Sequence, residues 1–335
     1  MTEAVSTERR GDSPPPTPFF ASKGMPRSSK RADQFFYGLT LTFGLSILLI
    51  TGLIALELWI NSQQIRHQFG WSFIWTQTWD PVMGDHGALP FIFGTLVSSF
   101  LSMLIAIPVG IGAALFLSEL APRKLSDILA FITELLAAVP SVIYGLVGMF
   151  LLVPLMRTTI QPFLQKTLGF LPIFQGPMYG IGMLTAGILL SIMVVPFIIT
   201  VSREVFLLVP SAQREAALAL GATHWEVVRL VVLPYSKSGI FGAAFLALAR
   251  ALGETMAVTM VIGNAARIAA SLFAPGYTMA AVIANEFTEA TEDHHLSALI
   301  AVGLVLFGIT LIVNAIARFM LLMLERRAKS GGGGH

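Results

Sequence analysis

Six stretches of this sequence, at about 36–60, 90–119, 127–156, 178–202, 238–264 and 297–323, are apolar over enough length to cross a bilayer, which takes about 20 helical residues. That repetition restricts the fold more than any motif does, and an all-α membrane protein with six transmembrane helices follows from it. Composition agrees. Apolar residues make up 55% of 335 and charged residues 12%, against roughly 25% charged in a soluble domain. The basic residues set the expected orientation, because Lys and Arg favour the cytoplasmic side of short loops. With the N-terminus inside, 16 of them fall on the cytoplasmic side: Arg9, Arg10, Lys23, Arg27, Lys30 and Arg31 in the tail, Arg123 and Lys124, then Arg203, Arg214, Arg229 and Lys237, and finally Arg318, Arg326, Arg327 and Lys329. Only Arg66, Arg157, Lys166 and Arg267 fall outside, and Arg250 lies within a span. Both termini are therefore expected in the cytoplasm. The absence of cysteine excludes a disulfide framework and a thiolate metal or redox site. Residues 1–33, polar and carrying Pro14-Pro15-Pro16, read as a disordered tail without a secretory signal. Gly331 to Gly334 and His335, within 330–335, read as an appended linker, which leaves 34–329 as the transmembrane domain.

Between the fourth and fifth spans lies a polar island, Glu215-Ala216-Ala217-Leu218-Ala219-Leu220-Gly221, closing at Val231-Val232-Leu233-Pro234. Ser211 is placed to cap a helix over 212–220, and Gly221 sits where that helix would stop in the left-handed conformation. Thr223 and Glu226 have the spacing of a capping box opening a second helix towards Leu233. Two short helices joined at a glycine make a rigid knob. An interfacial hairpin without a partner is the plainer reading of the same residues. Yet Glu-Ala-Ala, three residues, Gly, nine residues and aliphatic-any-Leu-Pro together resemble the coupling loop of ABC-transporter permeases. On the other side, Trp71, Trp75 and Trp79 are expected as headgroup-level anchors. Residues 158–177 suit a short amphipathic surface segment. The loop 265–296, with Glu286, Glu289, Glu292, Asp293, His294 and His295, suits a solvated face better than a metal site.

Charge inside the membrane is concentrated at Arg250-Ala251-Leu252-Gly253-Glu254-Thr255. Positions 250 and 254 are i and i+4, so on one helix the guanidinium and carboxylate would share a face and pair. An ionised residue at mid-membrane costs about 2.5–3.5 kcal/mol on insertion scales and persists where it faces an interior or a cavity. The planar fork of Arg250 suits a phosphate-like anion, with Glu254 orienting it; a structural ion pair stapling two helices is the alternative. In the third span Pro140-Ser141-Val142-Ile143-Tyr144-Gly145 is expected to kink the helix and free a carbonyl near Ser141. Ser141 and Tyr144 would then line the pathway, unless the kink serves packing alone. Glu134 is a third charge, near the cytoplasmic end of that span.

Trp79-Asp80-Pro81-Val82, Gly87-Ala88-Leu89-Pro90-Phe91, Pro140-Ser141-Val142-Ile143-Tyr144-Gly145, Arg250 through Val258, Val261-Ile262-Gly263-Asn264 and Ala284-Asn285-Glu286-Phe287 resemble the PstC-type permeases of bacterial phosphate ABC importers, over about 35–328. The resemblance implies a multi-pass protein of the bacterial plasma (inner) membrane, working with a PstA-type second permease, two PstB-type ATPase subunits and a PstS-type extracytoplasmic phosphate-binding protein. It implies inorganic phosphate as substrate, with Arg250 and Glu254 matching the family's intramembrane charges; Thr255, Ser141 and Tyr144 are expected beside that pathway from their own positions. Glu215, Ala216, Ala217, Gly221 and Pro234 would couple to the ATPase. The chain lacks a Gly-x-x-x-x-Gly-Lys-Ser/Thr phosphate cradle. It is therefore expected to be a transport subunit rather than an enzyme, binding no cofactor, contacting lipid but not nucleic acid, and leaving ATP and Mg to the partner. Two other readings stay open: a permease for molybdate or sulfate, and a secondary transporter or channel with Arg250 and Glu254 as an ion relay.

Overall fold

A computed structural model describes residues 28–331. Within them, six helices are long and apolar enough to cross a membrane, and the chain divides into two units, Met1–Ile54 and Ala55–His335. In the first unit the described residues form a single helix, α1 (Ser28–Asn61), which runs on into the second. It begins inside the segment expected as a tail, because Lys30, Arg31 and Ala32 are good helix formers continuous with the apolar run. The rest of that tail and all but the start of the terminal linker lie outside the described residues.

The second unit continues with two short helical turns, Gln63–Phe69 and Ser72–Trp75. Next come α2 (Leu89–Leu120), α3 (Arg123–Ala138), α4 (Ser141–Leu168), α5 (Met183–Leu207), α6 (Ser211–Ala219) and α7 (His224–Leu252). The last elements are α8 (Met256–Ile262), α9 (Met279–Glu286) and α10 (Asp293–Gly331). Helix α5 is the axis of the packing: Met183, Leu184, Ala186, Leu189, Leu190, Met193, Val194 and Ile198 are all buried. Hydrocarbon gives apolar side chains no reason to leave it, so helices in a membrane associate by close approach at small residues. Here a methyl built on Gly187 would stand 2.6 Å from Leu101, and one on Gly110 would stand 2.6 Å from Ile198, so both glycines seat α2 against α5. Gly239 seats α7 on Val205 of α5 in the same way.

Prolines shape the spans. Four wide, i→i+5 turns occur at Phe116–Leu120, Gly148–Leu152, Met156–Ile160 and Val228–Val232. Each is followed two residues later by a proline: Pro122, Pro154, Pro162 and Pro234. A proline ring clashes with the carbonyl four residues back and lacks the N–H that would bond it. At Pro154, Pro162 and Pro234, which continue a helix, widening the preceding turn accommodates both defects, whereas Pro122 stands outside the helix after an extended Ala121.

Two expected spans are corrected. The third, expected at 127–156, is two helices, with Val139 (ψ 131°) and Pro140 (ψ 138°) extended between them. Pro140 does not kink a continuous helix. Its ring excludes Val139 from the helical region and it opens α4, which then carries the span on to Leu168. Residues 158–168, expected within a surface segment, are thus the end of this span. The fifth span, expected at 238–264, starts at His224 and ends at Leu252, with α8 a separate short helix.

Candidate functional site

The helices that follow the two breaks, α4 and α8, meet each other. A methyl on Gly145 would lie 2.5 Å from the Met260 sulfur and 3.2 Å from the Ala257 Cα, so the start of α4 abuts the start of α8. Tyr144, one residue earlier, donates its hydroxyl to the Leu136 carbonyl at 2.7 Å. That carbonyl, at the end of α3, also accepts from the Val139 N–H at 3.2 Å. Tyr144 therefore closes the break, and Ser141, expected beside a freed carbonyl, is simply the half-buried first residue of α4.

Arg250 lies in the last turn of α7, half-buried, with its guanidinium 5.9 Å from the Phe197 ring of α5. The expected pairing with Glu254 does not form. Gly253 ends α7 after Leu252, the i, i+4 relation is lost, and no ion pair joins the two residues. Instead Glu254 Oε1 accepts from the Ala257 backbone N–H at 3.2 Å, capping α8. Thr255 donates its hydroxyl to the Gly253 carbonyl at 3.3 Å. Of the residues expected in one pathway, the structure packs the segment of Tyr144 against α8, just after Thr255, and gives Glu254 a partner other than Arg250. An arginine without a carboxylate keeps its donors available to an anion.

At the end of the bundle bearing the 211–234 loop, α6 and the start of α7 form a corner at Gly221, whose φ of +88° lies in the left-handed region. The capping box forms: Thr223 N–H donates to Glu226 Oε2 at 2.8 Å and Glu226 N–H to Thr223 Oγ1 at 3.3 Å. Two details differ. Ser211 is already helical and caps nothing, because Pro210 holds the N-cap position with extended geometry. The second helix is no short arm but the beginning of the fifth span, so one side of the corner is built into the bundle. Glu215, Ala216, Gly221 and Pro234 are exposed, and Ala217 turns partly inward onto Phe206 and Val227. Leu220 is 89% exposed and Trp225 64%. Neither stood out in the sequence, where an apolar residue near a span attracts no notice, yet both enlarge the surface that the corner presents. Arg214 likewise read only as one of the loop's positive charges; in the structure it forms a 2.8 Å ion pair with Glu119.

At the opposite end, Trp71 and Trp75 are exposed as anchors should be, but Trp79 is not an anchor. Its indole N–H donates to Glu286 Oε2 at 3.0 Å, and its ring packs edge-on to His86 and Phe91. In the acidic, histidine-bearing loop Glu289, Glu292 and Asp293 are exposed, as a solvated face requires, whereas Glu286, His294 and His295 are half-buried. His295 contacts Glu286 at 3.2 Å, His294 bonds Gln68, and both rings stand within 6 Å of His86. His86 is buried, with Nδ1 3.1 Å from the Gly84 carbonyl. A carbonyl only accepts, so Nδ1 carries the proton and Nε2 is bare and without a partner. Burial first, then His294 and His295, hold its pKa below the ordinary 6.5, against the opposing pull of the Gly84 carbonyl and Asp85.

Residues 106–330 match the family model described as "Binding-protein-dependent transport system inner membrane component". The phosphate transport system permease protein PstC of Xylella fastidiosa is 51% identical over 303 residues, covering 89% of this chain and 93% of that one. The protein of the same name from Mesorhizobium japonicum is 48% identical over 299 residues, covering 88% and 91%. The probable counterpart from Methanocaldococcus jannaschii is 40% identical, covering 74% and 79%. Among solved structures, a chain of a bacterial alginate ABC transporter, crystallised with an alginate-bound periplasmic protein, matches with a TM-score of 0.57 at 16% identity. It covers 88% of this chain and 96% of that one, and the two share a fold.

Proposed function

The chain belongs to the binding-protein-dependent transport system inner membrane components, among the PstC phosphate permeases, and from that membership we propose how its residues serve phosphate import. It is a transmembrane permease subunit of an ATP-driven phosphate importer, multi-pass in the bacterial inner membrane, with both termini and the 211–234 corner on the cytoplasmic side. It works with a PstA-type permease, two PstB-type ATPase subunits and a PstS-type binding protein. The exposed corner at Glu215, Ala216 and Gly221, with Leu220 and Trp225 beside it, seats on the ATPase. Closure of the ATPase on ATP pushes α6 and turns the pathway outward; phosphate leaves the binding protein and passes Arg250; hydrolysis returns the pathway to the inside.

One observation carries the assignment of Arg250: it is a half-buried guanidinium in the bundle with no carboxylate on it. Such a charge has a reason to persist when an anion shares its site during part of the cycle. Tyr144 and Ser141 shape the α4 side of that site, Thr255 its α8 side, and Glu254 holds α8 in register rather than orienting the guanidinium. Arg250→Gln is expected to abolish phosphate uptake by vesicles holding the full complex, while the ATPase still co-purifies. Loss of assembly in that variant would make Arg250 a structural residue instead.

A further inference from the structure

Helix α6 has two faces. Glu215, Ala216 and Ala219 are exposed, whereas Arg214 and Ala217, three residues apart and so on one side of the helix, turn inward. Ala217 brings only a methyl group to the apolar cluster of Phe206, Val209, Val227 and Val232. Arg214 does more. Its Nη2 donates to Glu119 Oε1 at 2.8 Å and to the Phe206 carbonyl at 2.7 Å. Glu119 lies in the last turn of α2 and Phe206 in the last turn of α5, so one guanidinium ties the coupling helix to two spans. The Arg214 side chain is 24% exposed and that of Glu119 12%, which removes the pair from most of the screening that weakens surface charges. Both bonds leave from one nitrogen, Nη2, so the two contacts are made or lost together.

The two tied spans are closely packed on each other, seated at Gly187 on Leu101 and at Gly110 on Ile198. On α5, Phe197 lies nine residues before Phe206, about 13.5 Å along the axis at 1.5 Å per residue. Phe197 is the residue whose ring stands 5.9 Å from the Arg250 guanidinium. One continuous helix thus runs from the Arg214 contact to the residue facing the intramembrane charge.

We propose that Arg214 is a positioning residue for transport: by gripping Glu119 and the Phe206 carbonyl, it makes α2 and α5 follow the coupling helix, so that a push on α6 reaches Arg250. The proposal rests on the importer function given above. The test compares the wild-type complex with Arg214→Gln and Arg214→Lys, each assembled with the second permease, the ATPase and the binding protein in vesicles. The reading is labelled phosphate taken up per ATP hydrolysed. Arg214→Gln is expected to leave the ATPase bound and hydrolysing while phosphate per ATP falls about tenfold, the order expected for one coupling contact. Arg214→Lys, keeping a donor and the charge, is expected to recover part of the ratio. An unchanged ratio in Arg214→Gln would overturn the proposal, and so would a fall in uptake matched by an equal fall in hydrolysis, which marks a residue that only holds the fold. Failure of the wild-type complex to import phosphate would strike the proposed function instead, which those two results leave standing.

Discussion

Glu254 separates two pictures of the intramembrane charges by the size of its effect. In the structure its carboxylate accepts one bond, from Ala257 N–H at 3.2 Å, and no ion pair joins it to Arg250. Glu254→Gln keeps an acceptor oxygen at the same reach and loses only the interaction of the charge with the helix end, worth about 0.3–1 kcal/mol. Glu254→Ala removes the cap and costs about 1 kcal/mol. A buried ion pair behaves differently: deleting one partner costs about 3–5 kcal/mol because the other is left uncompensated. The assay is denaturant unfolding of the purified chain in mixed micelles, run as a double-mutant cycle with Arg250→Gln and Glu254→Gln. Two sites without direct contact should show a coupling energy within about 0.5 kcal/mol of zero. A coupling well above about 1 kcal/mol, or a loss of about 3 kcal/mol in Glu254→Gln alone, would refute the capping role and restore the pair.

The corner and the opposite end give two further expectations. A methyl on Gly221 would meet nothing within 4 Å, so substitution there is resisted only by its positive φ, about 1–2 kcal/mol for a residue with a side chain. Gly221→Val is expected to leave the chain inserted but to lower uptake by the full complex; wild-type uptake would remove the corner from the coupling surface. His86 is held below its ordinary 6.5 in the fold, so as pH falls through 6.5 the unfolded chain takes a proton that the fold refuses. Its contribution makes stability fall with acidification over that window and level off below the folded pKa. The melting temperature should therefore drop between pH 7.5 and 5.5, and by less in His86→Gln; an equal drop in both would exclude His86 as its source.

The apolar runs, the glycine corner and its capping box were legible because each depends on local chemistry: length of apolar run, a glycine at a helix end, Thr223 three residues before Glu226. What was not legible depended on where helices stop and on contacts between distant segments. Hydropathy runs straight through Val139-Pro140 and through Leu252-Gly253-Glu254, so the expected spans ignored both breaks. The second break is the one that separates Arg250 from Glu254. Pro140 signalled a disturbance, but a kink and a full stop look alike until the Tyr144 hydroxyl is seen on the Leu136 carbonyl. Trp79 and Glu286 are 207 positions apart, and Arg214 and Glu119 are 95. Nothing local marks either pair, so Trp79 passed for an anchor and Arg214 for a plain loop charge.

The most direct test of phosphate import is ATP-dependent uptake of labelled phosphate by vesicles containing this chain, its sister permease and the ATPase, with binding protein supplied outside. Sulfate, molybdate and arsenate are added in turn as competitors. Uptake that requires both ATP and binding protein, and that only arsenate blocks, is the expected result. Uptake of a different oxyanion, or uptake that proceeds without ATP and fails with an ionophore, would contradict it.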